Sequence, residues 1–328
     1  MGYRLLSGKV TRATQSKTAL KLHVVILHWK NIEATSKCLL SVLSAARHAV
    51  EECKIEVTIV DNGSPLPLAL EHLVCDANQQ VELLRSSENL GFSGGMNLGI
   101  SAAIPSNPDA IWLLNNDVQI DDKSITAMAD YLLKNPEIAC VGSVILNGSG
   151  TAINTIGGYK YEAWLSRATP IGERLPPNAA TTISQRYDYV CGSAILLTSD
   201  CLAKLESLPH KNFLYFEELH LARKLEQFGM KSDVCTDAWV SHEQGVTTSS
   251  LGDALRCYYV TFSSLKYTWE HCPFFLPTVI AARVARAAQL ALNVREHSIF
   301  LGCLKGLLDF CMGREERYSR SLDVDKAP

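Results

Sequence analysis

Apolar residues in the first 150 positions switch repeatedly between two spacings. Short runs dominated by apolar residues, most of them with Val or Ile, occur at 22–29 (LHVVILHW), 56–61 (EVTIVD), 81–86 (VELLRS), 110–116 (AIWLLNN) and 138–146 (IACVGSVIL). Their length and β-branched content predict buried strands. Between them, apolar residues recur every three or four positions. They do so at 33–50 through Cys38, Leu39, Val42, Leu43 and Ala46, and again at 67–77, 94–104 and 123–134. That spacing predicts helices with one buried face. Strands and helices in alternation predict βαβ units, an α/β fold and a largely parallel sheet.

Beyond about residue 150 the pattern loosens. Residues 151–184 mix Gly, Pro, Thr and aromatics and read as hairpin and loop. Residues 187–205 predict a strand, a break at Gly192-Ser193, a second strand, and a helix capped by Ser199 or Asp200. The stretch 213–231 starts extended and turns helical at Glu217, and 237–250 reads as strand then loop. From 251 to about 312 the chain reads as helical, interrupted by Pro273 and Pro277. The tail lacks apolar residues and predicts a frayed end.

Ligands of parallel sheets bind beyond the carboxyl ends of the strands. Three predicted strands end on polar groups: His28 before Trp29, Asp61-Asn62-Gly63-Ser64, and Asn115-Asn116-Asp117. Helix caps and turns account for any one of these, but three together favour a ligand-binding edge. Asp61 stands where a strand-end carboxylate accepts from a ribose hydroxyl or a base N–H. Asp117 offers hard oxygen to Mg2+ or Mn2+, ions that need only one or two carboxylates when substrate phosphates complete the shell. His242, after another predicted strand, is a candidate second ligand, although a lone histidine is more often structural.

The stretch NLGFSGGMNLGI (89–100) holds Gly91, Gly94, Gly95 and Gly99 beside Asn89 and Asn97. It reads as a loop able to approach a ligand closely, followed by a helix whose N-terminus faces an anion. The alternative is a tight loop with close packing at Gly99. It matches neither G-x-G-x-x-G nor a Walker loop, so neither a nicotinamide site nor a P-loop is supported. Glu217 and Glu218 open a helix, where acidic residues favour the dipole without any function. The competing reading makes one of them a general base.

Composition narrows the class. The 328 residues are 47% hydrophobic and 20% charged, ordinary for a folded protein, and the net charge of -3 argues against a nucleic-acid partner. Eleven cysteines are scattered without a CxxC pair, which disfavours zinc and suits a reducing compartment. The first 21 residues lack the apolar core of a signal peptide, and Leu6 stands where a myristoylation motif needs Ser or Thr. No unbroken apolar run approaches the roughly 20 residues of a spanning helix, so the expectation is a cytoplasmic protein, soluble or at a membrane surface.

Taken in order, VVILHWKNIEATSKCLLSVL, IVDNGSP, NLGFSGGMNLGI, WLLNNDV, GSAILLTSDCL, FLYFEELHLARKLEQFGMK and HEQGVTTS resemble a family 2 glycosyltransferase with the GT-A fold, of the bacterial rhamnosyltransferase-like branch. The resemblance runs from about Leu22 to about Tyr267. It implies an N-terminal arm (1–20), a transferase domain (21–250) with a nucleotide-sugar half (21–120) and an acceptor half (121–250), a helical extension (251–313) and a flexible tail (314–328). It also implies that His28, Trp29, Asp61, Asn62, Asn89, Phe92, Gly95, Asn97, Asn115 and Asn116 hold the nucleotide sugar. Asp117 and His242 would hold Mg2+ or Mn2+, and Glu218, beside Glu217, would deprotonate the acceptor.

The chain departs from that pattern in three places. Glu218 replaces the usual Asp, His220 stands at a frequent acid position, and Thr261-Phe262 replaces Arg-Asn after YYV. The implied reaction inverts the anomeric carbon of a nucleotide-diphosphate sugar, first dTDP-rhamnose, otherwise a UDP-sugar. The acceptor would be a glycan or a lipid-linked saccharide of a bacterial surface polysaccharide. The rivals are a non-catalytic nucleotide-sugar-binding protein and a nucleotidyltransferase, the latter lacking a basic loop near the N-terminus. In the C-terminal part, Arg283, Arg286, Arg295 and Lys305 lie among apolar residues. That suits peripheral contact with an anionic membrane, or packing on its own body or on a second copy in a homodimer.

Overall fold

The computed structural model describes residues 19–49, 53–73, 81–181, 186–209, 211–243, 252–292 and 297–314. Most of the predicted N-terminal arm, the loop after Glu243, Arg295 and all but the first residue of the tail lie outside them.

The central strand β1 (Leu20–His28) shows why the chain forms layers. Its residues alternate between two cores. Val24 and Ile26 pack with Leu39 and Val42 of α1 (Ile32–His48) and with Ile125 and Met128 of α3 (Ser124–Lys134). Val25 joins Met96 and Ile100 of α2 (Gly91–Ala103), Leu202 of α4 (Ser199–Leu205) and Leu221 and Leu225 of α5 (Glu217–Gln227). A strand buried on both faces needs the continuous apolar run seen in the sequence.

Parallel pairing links β1 to β2 (Cys53–Asp61) and β4 (Ala110–Asn115), and β2 to β3 (Val81–Arg85). Beyond β4 the sheet is mixed. Antiparallel β11 (Ala194–Thr198) separates β4 from β6 (Ile138–Asn147), followed by β12 (Lys231–His242) and the short β5 (Val118–Ile120). β7 (Ile153–Ile156) pairs with β6. A smaller antiparallel sheet contains β8 (Gly158–Glu162), β9 (Arg167–Pro170) and β10 (Tyr189–Val190). The result is the expected α/β architecture, a mixed sheet flanked by helices.

Three local expectations need correction. The helix expected at 67–77 is only a 3-10 turn at Leu70–His72, because Pro67 starts an extended stretch and the Leu68 N–H bonds to Asp61 (3.0 Å). Residues 74–77 lie outside the described residues. The glycine-rich stretch is not a loop, since α2 already begins at Gly91. Gly95 and Gly99 are one helical turn apart, and an added Cβ would lie 2.5 Å from Leu27 Cδ1 and 2.3 Å from Val25 Cγ1. These glycines let the helix lie directly on the sheet. The cap of α4 is Thr198, whose hydroxyl accepts from Cys201 N, while Ser199 donates to Pro108 O.

The C-terminal helices are α6 (Asp253–His271), α7 (Leu276–Ala291) and α8 (His297–Cys311). They share a core of Leu265, Val279, Leu290, Cys303 and Leu307. The segment Pro273–Ala291 is long and apolar enough to cross a membrane by length and composition, more than the sequence reading allowed. All described cysteines are free.

Candidate active site

The strand registers gather the polar ends. His28 pairs with Asp61, and Leu27 with Asn115, at the carboxyl edge of the parallel strands. A cavity of about 720 Å3 opens there, lined by Trp29, Asn62, Asn89, Phe92, Asn115, Asn116, Asp117, Glu217, Glu218 and His242. Ten of the fourteen residues expected from the sequence therefore share one cavity, and His28, Asp61, Gly95 and Asn97 do not line it.

Those four have structural partners instead. The Asp61 carboxylate is fully buried and is consumed by its own turn: it accepts from Ser64 N (3.0 Å) and Leu68 N (3.0 Å) and pairs with Arg85. Burial pushes its pKa up, but those N–H donors and the Arg85 guanidinium outweigh burial and hold the carboxyl below its ordinary value. Asn97 clamps the backbone of Leu208 with both ends of its amide. His28 acts on the cavity only indirectly. Thr35 Oγ1 donates to Asn31 O, so it receives both Asn116 Nδ2 (3.0 Å) and His28 Nδ1 (2.6 Å), which fixes the Nδ1–H tautomer. Burial drives the His28 pKa down to about 4, so the ring is neutral and steadies Asn116 beside Asp117.

Asp117 occupies the turn between β4 and β5. Antiparallel pairing of Val118 with His242 then delivers the histidine, and Glu243 N closes on Asp117 O (3.1 Å). His242 Nε2 lies 3.2 Å from Asp117 Oδ1, yet Oδ1 is buried and accepts no hydrogen bond among the described residues. A buried carboxylate oxygen without a donor is costly, and a cation between it and an imidazole nitrogen removes the cost. Oxygen plus one nitrogen suits Mn2+ or Mg2+, so these two residues fit a divalent ion.

Asn62 and Asn89 build the adjoining wall. Asn62 Nδ2 bonds to Asn89 Oδ1 (3.1 Å) and Gly91 O (3.0 Å), and Asn62 Oδ1 takes Leu90 N (3.0 Å). The first donors of α2 are already used, Gly91 N by Asn89 Oδ1 and Phe92 N by Phe213 O. The expected anion site at that helix start is thus closed by the protein itself.

Glu218 sits in the first turn of α5, reached through Tyr215 and Phe216, both left-handed (φ 69 and 73). Two bulky residues in that region cost on the order of 1–3 kcal/mol each, and such strain clusters at functional sites. Asn212 Nδ2 steadies the bend through Tyr215 O (3.1 Å). The carboxylate rests on Gly192, where an added Cβ would lie 2.1 Å from Glu218 Oε1. Burial raises the Glu218 pKa, partly offset by backbone N–H donors that include Gly192. A carboxylate so destabilised is a stronger base. Glu217 is buried beside it.

Sequence reasoning missed Gly192, Tyr161 and Arg283, all of which line the cavity. Gly192 is legible in the sequence only as part of the Gly192-Ser193 break between two strands. His220, at the position of a frequent acid, points away from the cavity: it is buried and its Nδ1 lies 3.0 Å from His271 Nε2 of α6. Lys305 pairs with Asp309 (2.9 Å), and Arg283 reaches inward rather than toward a membrane.

Known proteins resemble this architecture. The family model described as glycosyl transferase family 2 matches residues 24–186. The low-salt glycan biosynthesis hexosyltransferase Agl10 of Haloferax volcanii is 23% identical over 239 residues, 72% of each chain. The galactofuranosyltransferase GlfT1 of Mycobacterium tuberculosis is 24% identical over 191 residues, 57% of this chain and 60% of that one. Among solved structures, the mannosyltransferase PcManGT of Pyrobaculum calidifontis, in complex with GDP-Man and Mn2+, shares the fold with a TM-score of 0.53 at 12% identity, covering 92% of this chain and 90% of that one. GalNAc-T7 with UDP, GalNAc and Mn2+ does so with a TM-score of 0.53 at 15% identity, covering 69% and 44%. With the matching model spanning Asp61 and Asp117, and with transferases as its relatives, the chain belongs to glycosyltransferase family 2 and has the GT-A fold.

Proposed function

We propose that the chain is an inverting, metal-dependent hexosyltransferase that moves a sugar from a nucleotide diphosphate to an acceptor hydroxyl. One observation carries this reading: Asp117 with His242, and Glu218 on its Gly192 seat, face one cavity. Asp117 and His242 would hold the Mn2+ or Mg2+. That ion, when bound, supplies positive charge for the departing diphosphate.

The chain's own groups supply the rest. Asn62, Asn89 and Trp29 wall the donor side. Glu218 takes the proton of the acceptor hydroxyl, whose oxygen forms the new bond to the anomeric carbon as the bond to the diphosphate breaks. Charge at that carbon is oxocarbenium-like, and a single base suffices because no water has to be activated. Glu218 retains the carboxylate of the usual Asp, one methylene further along a side chain whose seat is shaped by Gly192.

dTDP-rhamnose is the first donor to test and UDP-sugars the second. Thermal unfolding against a panel of nucleotide sugars, with and without Mn2+, decides between them. Stabilisation by one donor only when Mn2+ is present supports the reading; a panel without any shift contradicts it. A nucleotide-binding protein without catalysis would show the shift but no turnover.

The acceptor is a glycan or lipid-linked saccharide of the cell envelope, met at the cytoplasmic face of the membrane. Exposed Phe274 (88%), Leu292 (89%) and Trp269 (62%) on the C-terminal helices support contact with lipid. Flotation with anionic vesicles tests this. Wild type should float and the double variant Phe274→Asp, Leu292→Asp should not; wild type left behind argues for packing against a second copy.

A further inference from the structure

The cavity has a second charged feature that the transferase chemistry does not use. Arg283 of α7 lines it, with Ser166 and Tyr161 nearby on the wall. Arg283 Nε donates to Ser264 Oγ (2.9 Å) and Nη2 donates to Ser166 O (2.8 Å). Both acceptors are neutral. Its third nitrogen, Nη1, makes no hydrogen bond among the described residues, and no carboxylate pairs with the group there. Two other cations of this region have carboxylate partners, Arg167 with Glu162 (3.1 Å) and Lys305 with Asp309 (2.9 Å), and Arg286 bonds to the neutral Gln289 (3.0 Å).

A partly desolvated guanidinium without a carboxylate partner is expensive, and burial pulls its pKa below the ordinary value, offset only in part by Cys303, Tyr161 and Cys257. The two hydrogen bonds fix the fork in place, so little entropy is lost when an oxyanion docks. The wall beside it leads to the reacting end. Tyr161 OH shares a hydrogen bond with Ser166 Oγ (2.8 Å), and the Tyr161 ring stands edge-on to Phe216 (6.3 Å), which precedes Glu217 and Glu218.

We infer that the acceptor carries an oxyanion, a phosphate or a carboxylate, that Arg283 holds while the acceptor hydroxyl is presented to Glu218. This rests on the transferase reading above and adds the chemical class of the acceptor. The carboxylates Glu217 and Glu218 at the reacting end repel the same anion, so the guanidinium and these carboxylates together orient the acceptor.

Calorimetric titration tests it on the full chain already saturated with Mn2+ and the nucleoside diphosphate that stabilises it. The probes are glucose 1-phosphate, decyl phosphate and glucuronate, with methyl glucoside and decanol as uncharged controls. At least one anionic probe should bind tenfold or more tighter than its control. Decyl phosphate alone would indicate a lipid headgroup, glucose 1-phosphate a sugar phosphate, and glucuronate a uronic acid. Arg283→Gln should erase the preference and Arg283→Lys should keep part of it, with nucleoside diphosphate binding unchanged in both. The inference is overturned if wild type shows no preference for an anion, a result that stands even where Arg283→Gln does not fold. It is equally overturned if folded Arg283→Gln keeps the preference. Failure of any nucleoside diphosphate to bind would instead remove the transferase reading.

Discussion

Nε2 of His242 lies 3.2 Å from Oδ1 of Asp117, and that oxygen accepts no hydrogen bond among the described residues. The two residues are 125 positions apart in the chain, and the antiparallel register of Val118 with His242 brings them together. Replacing Asp117 by Asn removes charge from a buried spot where, among the described residues, only the His242 imidazole stands opposite Oδ1. Metal-free Asp117→Asn should therefore unfold at or above the wild-type temperature, while the stabilisation that Mn2+ and nucleotide give wild type disappears. A ligand at 100 times its Kd stabilises by about 2.7 kcal/mol, ample for a melting scan. A variant whose melting temperature still rises with Mn2+ would remove Asp117 from the ion's shell.

Glu218 should trade stability for chemistry. Its folded-state pKa is raised by burial, so it costs nothing while protonated in both states at acid pH. As pH rises through the raised value, ionisation inside the protein costs stability. Glu218→Gln should thus melt above wild type at neutral pH, and the gap should close in acid. Transfer should fall by about 10²–10⁴-fold, the usual contribution of a general base. In wild type the rate should drop as pH falls through that same value. Turnover by Glu218→Gln at the wild-type rate would exclude it as the base.

Gly192 should behave as a positioning residue. A methyl group there meets Glu218 Oε1 at 2.1 Å, so the carboxylate must move. A displacement near 1 Å costs about 10²-fold in rate. Gly192→Ala should lower kcat by about that factor while leaving the nucleotide affinity intact, as measured by steady-state kinetics beside nucleotide titration. An unchanged kcat would show that the seat does not matter.

His220 and His271 tie α5 to α6, with Nδ1 and Nε2 3.0 Å apart. Burial, and then His271, lowers the His220 pKa to about 4, and burial lowers that of His271 as well. Both folded values lie below the unfolded one near 6.5, so the stability they give is full above pH 6.5 and is lost as pH falls toward 4. His220→Phe should shrink the loss between those limits by about 2 kcal/mol, followed by denaturant unfolding at several pH values. An acid-induced loss identical to wild type would assign it to other groups, His28 among them.

Local signals survive well in this sequence. The buried strands around Val24, Ile59 and Trp112 are runs dominated by apolar residues, and Asp117, Glu218 and His242 follow directly from strand ends and a helix start. What could not be read was set by distant partners. Gly95 and Gly99 resemble loop glycines until β1 is laid beneath them. Asp61 looks like a ligand residue until Arg85 and the Ser64 and Leu68 amides fill its lone pairs. Arg283 looks like a membrane-facing cation until α7 packs against Leu265 and turns it toward Ser166. Each outcome depends on tertiary contacts that no spacing rule encodes.

Direct detection of the bound ion tests the central claim most sharply. Free Mn2+ gives an electron paramagnetic resonance signal that weakens on binding, so titration with the stabilising nucleoside diphosphate present counts bound ions. Wild type should take up one Mn2+ per chain, Glu218→Gln should do the same, and Asp117→Ala should take up none in the same range. Equal uptake by Asp117→Ala and wild type would contradict the account.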